Sequence, residues 1–335
     1  MNKENLILDV KDLVIRYETD DGIVKAVNGV DLQINKKQTI GLVGETGAGK
    51  TTTAKAVMRL IQTPPGVIEA TKIEVDGIDI MNSSTEDLEK VRGKEVSMIF
   101  QDPMTALNPV FTVGEQIAES IEIHENISKK EALEKAVKML ELVGIPGSRA
   151  GEYPHQFSGG MKQRVVIAIA LACNPKLLIA DEPTTALDVT IQAQVLDLMR
   201  NLKAQYDTSI ILITHDLGIV AEICDYVMVM YAGKIVEKGT LEEVFNNTKH
   251  PYTEGLFNSL PNINNRAAKL QPIKGLMPDP TNLPEGCAFS PRCPYATEKC
   301  SKMTPELVNM GGTHFAACSA YEDVKFHINR RVENV

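Results

Sequence analysis

"GETGAGKT", residues 44–51, is the stretch on which the fold turns. It fits the pattern G-x-x-x-x-G-K-[ST], a glycine-rich loop whose successive backbone N–H groups face one concave surface. The run before it, "QTIGLV" (38–43), reads as a short buried strand, and "TTAKAVMRLI" (52–61) after it reads as a helix. Strand, loop and helix in that order set a positive helix terminus beneath a phosphate chain. Gly44, Glu45, Thr46, Gly47, Ala48, Gly49 and Thr52 are therefore candidate phosphate-binding residues. Lys50 is expected to reach the β- and γ-phosphates of a nucleoside triphosphate, and the Thr51 hydroxyl to bind Mg²⁺.

Working outward, three more aliphatic runs read as strands of a parallel sheet covered on both faces: "VSMIF" (96–100), "LLIAD" (177–181) and "IILITH" (210–215). Open α/β sheets place ligands beyond the C-terminal ends of their strands. Asp181 ends one run and is expected to hold Mg²⁺; Glu182 follows it and is expected to polarise an attacking water. His215 ends another, within reach of a γ-phosphate, and Gln101 follows a third with an amide that could touch metal or water. Between the second and third runs, residues 115–145 are charged and periodic, which predicts a helical insertion.

Composition bounds the rest. The chain has 335 residues and a net charge of -9, which argues against a nucleic-acid footprint. No apolar run approaches the roughly 20 residues of a membrane span, and the N-terminus reads as a strand and not a signal peptide, so a cytosolic chain is expected. After about residue 240, prolines recur and four of the six cysteines appear, which suggests a smaller second domain.

"FSGGMKQR" (157–164) has no nucleophile pair and no metal ligands. Ser158 can cap the helix that begins near Met161, while Gly159 and Gly160 permit close backbone approach at a helix terminus that favours anions. Together with the phosphate loop, Gln101, "LLIADEP", "TTALD" (184–188), His215 and Tyr17, this stretch resembles the nucleotide-binding subunit of an ATP-binding-cassette (ABC) transporter over about the first 240 residues. The resemblance implies an α/β fold: a RecA-like phosphate-loop core with an antiparallel β subdomain and a helical subdomain at about 102–160. It places the nucleotide-binding domain at 1–240 and a cysteine-containing extension at 241–335. It also implies a head-to-tail dimer in which Ser158, Gly159 and Gly160 of one chain face the γ-phosphate held by the other. Asp188 would bridge that dimer, and Tyr17 would stack on adenine. The family's usual fifth signature residue is glutamine; here it is Met161.

Cys287, Cys293, Cys300 and Cys318 are separated by five, six and seventeen residues. Zinc sites usually open with two to four residues between the first pair, so these gaps suit a larger iron–sulfur cluster, with zinc and free or paired thiols left open. Cys173 and Cys224 lie in apolar segments and read as buried core thiols. The tail's "HPYTEGL" (250–256) and "RCP" (292–294), with "QDPMTALNP" (101–109) and the "FSGGM" variant, resemble the ATPases of bacterial dipeptide and oligopeptide importers. That resemblance implies a [4Fe-4S] cluster on the four tail cysteines. It also implies a second ATPase chain, identical or paralogous, two membrane permease subunits, and an extracytoplasmic peptide-binding protein. The chain would work on the cytoplasmic face of the membrane, as an ATPase consuming ATP with Mg²⁺. Nickel import by the same motor is an alternative cargo. A soluble cassette ATPase of nucleic-acid repair or translation is disfavoured by the charge and the single cassette.

Overall fold

A computed structural model of the protein describes residues 5–184, 187–260, 271–323 and 326–328; Thr185 and Ala186 of the "TTALD" stretch and Pro261 of the tail lie outside them. The chain opens with two long antiparallel strands, β1 (Leu6–Thr19) and β2 (Gly22–Asn35), before β3 (Thr39–Val43) feeds the phosphate loop and α1 (Lys50–Val57). Short strands β4 (Gly66–Glu69), β5 (Lys72–Val75) and β6 (Ile78–Asp79) return to complete a five-stranded sheet around β1. Helix α2 (Thr85–Val91) then leads to β7 (Val96–Ile99).

The insertion begins with α3 (Pro103–Ala106) and continues through α4 (Val113–His124), α5 (Lys129–Leu142) and α6 (Gly159–Leu171). Both long insertion helices start at capping boxes. Thr112 with Glu115 and Ser128 with Glu131 satisfy each other's backbone N–H groups, so the starts of α4 and α5 are written locally. Their inward faces, including Ile117, Ile121, Ala136 and Leu140, are buried against α6.

The core sheet then fills in. Strand β8 (Leu177–Asp181), α7 (Val189–Tyr206), β9 (Ser209–Thr214), α8 (Leu217–Ile223), β10 (Tyr226–Tyr231) and β11 (Lys234–Thr240) follow in turn. Strands β7, β8, β9, β3 and β10 lie side by side and parallel. Every residue of β3, β8 and β9 is buried, as expected where both faces are covered and alternation disappears. One apolar core lies between this sheet and the antiparallel one; the other lies beneath the helices.

The tail does not stand apart from this sheet. After α9 (Leu241–Asn246) and α10 (Pro251–Asn258), the chain reaches α11 (Glu298–Lys302) and the hairpin β12 (Val308–Gly311) and β13 (His314–Ala316). Strand β13 pairs antiparallel with β11, so the hairpin extends the core sheet to eight strands. Glu237 of β11 is fully buried there. It accepts hydrogen bonds from the backbone N–H groups of Lys249 and His250 at 2.6 and 2.9 Å and pairs with His314 at 2.8 Å. A buried carboxylate so fully bonded ties the tail's start and end to one strand of the core.

Candidate functional site: the phosphate edge and the cysteine cavity

The C-terminal ends of β3, β9, β8 and β7, adjacent in the sheet, carry the predicted groups to one edge. The loop from Gly44 to Gly49 caps α1, with Gly49 at φ +105°. A Cβ at Gly49 would stand 2.5 Å from the Ala26 carbonyl oxygen, so any other residue would push the loop off β2. Glu45 is half-buried, Thr46 and Gly47 are exposed, Ala48 is buried, and Thr52 is half-buried on α1. Lys50 is 6% exposed and donates to the Gly44 and Glu45 carbonyls at 2.7 and 3.0 Å. Burial pulls its ammonium below the usual lysine range, against the opposing pull of Glu182, Asp181 and Glu45.

Asp181 is 2% exposed, and its carboxylate is pushed above the usual range, chiefly by burial, against a hydrogen bond from Thr51. Its Oδ1 is buried without a hydrogen-bond partner. An orphaned carboxylate oxygen beside the Thr51 hydroxyl is a fit for a hard divalent cation, which supplies the missing partner. Thr51, Gln101 and Asp181 line one open cleft together with Lys55 and Asp102.

Glu182 sits in the left-handed region at φ +47°, fixed by its N–H to the Ile213 carbonyl of β9 at 2.8 Å. Strain of this kind persists only where neighbours over-determine it. Here they do: Gln101 Nε2 donates to Glu182 Oε2 at 3.0 Å, and His215 Nδ1 lies 3.2 Å from Oε1. Three strands thus converge on one carboxylate, a contact that no local stretch of sequence discloses.

The signature stretch is placed differently. Ser158 caps α6, accepting from Met161 N at 3.4 Å, and both Ser158 and Gly159 are exposed. A Cβ at Gly159 would meet nothing within 4 Å, whereas one at Gly160 would stand 2.5 Å from Ile191 Cγ2. Gly160 is therefore needed for packing onto α7, and Gly159 keeps the outward surface bare. Asp188 caps α7, accepting from Ile191 N at 3.0 Å, and is itself exposed. Tyr17 is half-buried on β1 opposite Gly66 of β4.

The four tail cysteines converge. Cys287, Cys293, Cys300 and Cys318 line one cavity with His250, Phe289 and Tyr295. Among the described residues, no group of three or more His, Cys, Asp or Glu is placed to hold a metal ion. Burial pushes the Cys293 thiol up to about 12 and Cys318 to about 11, and also raises Cys287. Cys300 is lowered: burial raises it, but bonds from Thr297 and Ser319 outweigh that. Of the other two thiols, Cys224 is a core residue as expected, whereas Cys173 is half-buried and bonds the Ser120 carbonyl at 3.3 Å.

Sequence reasoning missed the link between these two sites. Arg292, from the tail, forks onto the Glu45 carboxylate of the phosphate loop at 2.7 and 3.0 Å. Tyr252 accepts from the Glu45 N–H at 2.8 Å. Both residues lie in stretches the sequence singled out, "RCP" and "HPYTEGL", but neither stretch says where its partner is.

A solved dimeric ATP-binding cassette in a post-hydrolysis state, bound to ADP and Pi, superposes with a TM-score of 0.62 at 25% identity over 70% of this chain and 98% of its own. The cbiO1 protein of Clostridium perfringens, part of the cbiONQ ABC transporter complex, gives 0.62 at 28% identity over 72% and 92%. The ABC transporter family model matches residues 27–185. The fold and the phosphate edge are thus those of an ABC ATPase. The model of the oligopeptide/dipeptide transporter C-terminal region matches residues 236–300. The oligopeptide transport ATP-binding protein AppD of Bacillus subtilis (strain 168) is 51% identical over 321 residues, 95% of this chain and 97% of its own. OppD of Haemophilus influenzae is 48% identical over 316 residues, 94% and 97% respectively. The chain belongs to the family of ATP-binding subunits of oligopeptide and dipeptide ABC transporters. Among the described residues, no helix is long and apolar enough to cross a membrane.

Proposed function

We propose that this chain is the ATP-hydrolysing motor of an importer of oligopeptides or dipeptides. The observation that carries the mechanism is the Glu182 carboxylate, held between Gln101 and His215 beside the buried Asp181 and Lys50. The backbone N–H groups of the loop and the start of α1, apart from those of Glu45 and Ala48, which bond Tyr252 and the Glu45 carbonyl, cradle the triphosphate, and Lys50 leaves the Gly44 and Glu45 carbonyls to neutralise the β- and γ-phosphates. Thr51 and Asp181 would hold Mg²⁺, with Gln101 beside it; the ion supplies charge neutralisation on the transferring phosphoryl group. Glu182 orients the attacking water and accepts its proton, while His215 contacts the γ-phosphate. Tyr17 stacks on adenine.

Ser158 and Gly159 offer a hydroxyl and a bare helix terminus to solvent, and we assign them to the γ-phosphate held by a second ATPase chain, identical or paralogous, with Asp188 at the same interface. Closure of that pair on ATP drives two membrane permease subunits docked on the helical insertion, at the cytoplasmic face. An extracytoplasmic binding protein delivers the peptide. We assign the four tail cysteines, which line one cavity, to a [4Fe-4S] cluster on the family resemblance and their wide spacing in sequence. Such a cluster would supply a structural clamp and take the cysteines as thiolates.

The test is ATP-dependent uptake of a labelled oligopeptide into vesicles carrying the assembled transporter. Uptake is expected to vanish with Glu182→Gln in this chain while ATP still binds. Undiminished uptake in that variant would remove Glu182 from its role, and hydrolysis stimulated by DNA or ribosomes, without peptide uptake, would replace the transport reading.

A further inference from the structure

Glu45 places a carboxylate in the loop that must accept a triphosphate, where a like charge is unfavourable. The tail answers that charge. Arg292 is nearly buried, with its side chain 6% exposed, and its two terminal nitrogens meet the two Glu45 oxygens. A planar fork matched to a carboxylate fixes orientation as well as charge. Arg292 is itself held from three sides: Nε donates to the Lys274 carbonyl at 3.0 Å, one terminal nitrogen reaches the Tyr231 hydroxyl at 3.3 Å, and its guanidinium carbon lies 5.8 Å from the centre of that ring. The Glu45 backbone is fixed as well, through its N–H to the fully buried Tyr252.

The segment that carries Arg292 is bounded by two of the cysteines. Residues Ser290–Arg292 form one helical turn, whose start is set by Ser290 N to the Cys287 carbonyl at 2.9 Å and which ends at Cys293. Phe289, which lines the cysteine cavity, packs on Tyr231 and Tyr252 with ring centres 5.2 and 5.4 Å apart. The wall of the cavity and the clamp on the phosphate loop are therefore one packed unit. Earlier in the tail, the Pro280 carbonyl accepts from Lys25 N at 2.9 Å, and Met277 lies over the loop's outer turn at Gly47.

We propose that Arg292 is a positioning residue of the nucleotide site, supplied by the cysteine-bearing tail: it neutralises and orients Glu45 so that the phosphate loop accepts a triphosphate. This rests on the reading of that loop as the ATP site. Without Arg292, Glu45 is an unpaired carboxylate free to turn toward the phosphates or to take Lys50 for itself.

The experiment is calorimetric titration of the full-length chain with the Mg²⁺ complex of the β,γ-imido analogue of ATP. Binding by the parent chain establishes the ATP site on its own; a parent that does not bind removes that reading and this one with it. Arg292→Met is expected to weaken binding about tenfold, within the usual range of site-to-site coupling. Arg292→Lys, which keeps the charge but loses the fork, is expected to fall between. Adding Glu45→Gln to either variant is expected to restore binding to within about threefold of the parent, because the stray charge is gone. A tail that merely staples the fold gives the opposite pattern: Glu45→Gln alone would weaken binding as much as Arg292→Met, and the double variant would be no better. That pattern, or unchanged binding in Arg292→Met, overturns the proposal. If Arg292→Met does not fold, the Arg292→Lys pair carries the same comparison.

Discussion

The phosphate edge and the cysteine cavity are two sites on one sheet, built in opposite ways. At the phosphate edge, Asp181, Glu182 and His215 stand at or just past the ends of parallel strands whose burial is written in their own residues, and the loop after a third strand carries Lys50, so the four reach one edge almost by topology alone. The cysteine cavity has no such frame. Its thiols come from loops, a short helix and the end of a hairpin, and they meet where Glu237 and the pairing of β13 with β11 hold the tail and the Cys287 N–H bonds the Cys300 carbonyl. The first site is an open cleft, which our proposal completes with a second chain's Ser158; the second is lined by the tail, which our proposal ties to the first through Arg292. A site assembled from strand ends is robust in placement, while one assembled from loops depends on what fills it.

The largest expected effect is on the open site. Glu182→Gln removes the proton acceptor but not the phosphate cradle, so hydrolysis is expected to fall by at least about 10²-fold, with binding of the imido analogue retained. A variant with near-parent turnover would break the assignment of the phosphate edge. Ser158→Arg comes next: it places a bulky charge on an exposed cap and is expected to cut hydrolysis about 10²-fold while lowering the melting temperature by only the few degrees that a lost helix cap costs. A large loss of thermal stability would instead make Ser158 a structural cap only.

Emptying the cysteine cavity sharpens the contrast at smaller scale. If the cavity holds a cluster, anaerobically purified protein is brown and contains iron, and stripping that iron is expected to weaken nucleotide binding several-fold, through the turn that carries Arg292. Colourless protein with stoichiometric zinc would refute the cluster. The smallest effect is on stability. The buried Asp181 has its carboxylate raised above the ordinary range, so its ionised form costs stability that is fully present only at acid pH and is lost as pH rises through the shifted value. Asp181→Asn is therefore expected to raise the melting temperature of the nucleotide-free chain at neutral pH by about 2–4 °C while abolishing hydrolysis. A lowered melting temperature would show that the Thr51 bond outweighs burial.

Much of the phosphate edge was legible in advance because its signals are local. The loop "GETGAGKT" needs only its own glycines and the helix after it, and the four buried strands declare themselves by unbroken aliphatic runs. The capping boxes at Thr112 and Ser128 likewise mark the starts of α4 and α5 without reference to the rest of the fold. What the sequence did not disclose was long-range. Nothing near Glu182 says that Gln101 and His215 will hold it, 81 and 33 residues away. Nothing near Glu45 announces an arginine 247 residues later. The tail read as a smaller second domain because its composition changes, but its hairpin joins the core sheet through backbone pairing, which composition does not encode. The need for Gly160 came from the resemblance as a contact to nucleotide; in the fold it is met first by Ile191.

The central claim is that the exposed Ser158 completes a nucleotide site held by another chain. The most direct measurement is the initial rate of ATP hydrolysis by the purified chain over a wide dilution series. The expected result is a rate that rises with the square of protein concentration at the dilute end, and that Ser158→Arg suppresses throughout. A rate strictly proportional to concentration in a chain that stays monomeric, and unchanged by Ser158→Arg, would contradict it.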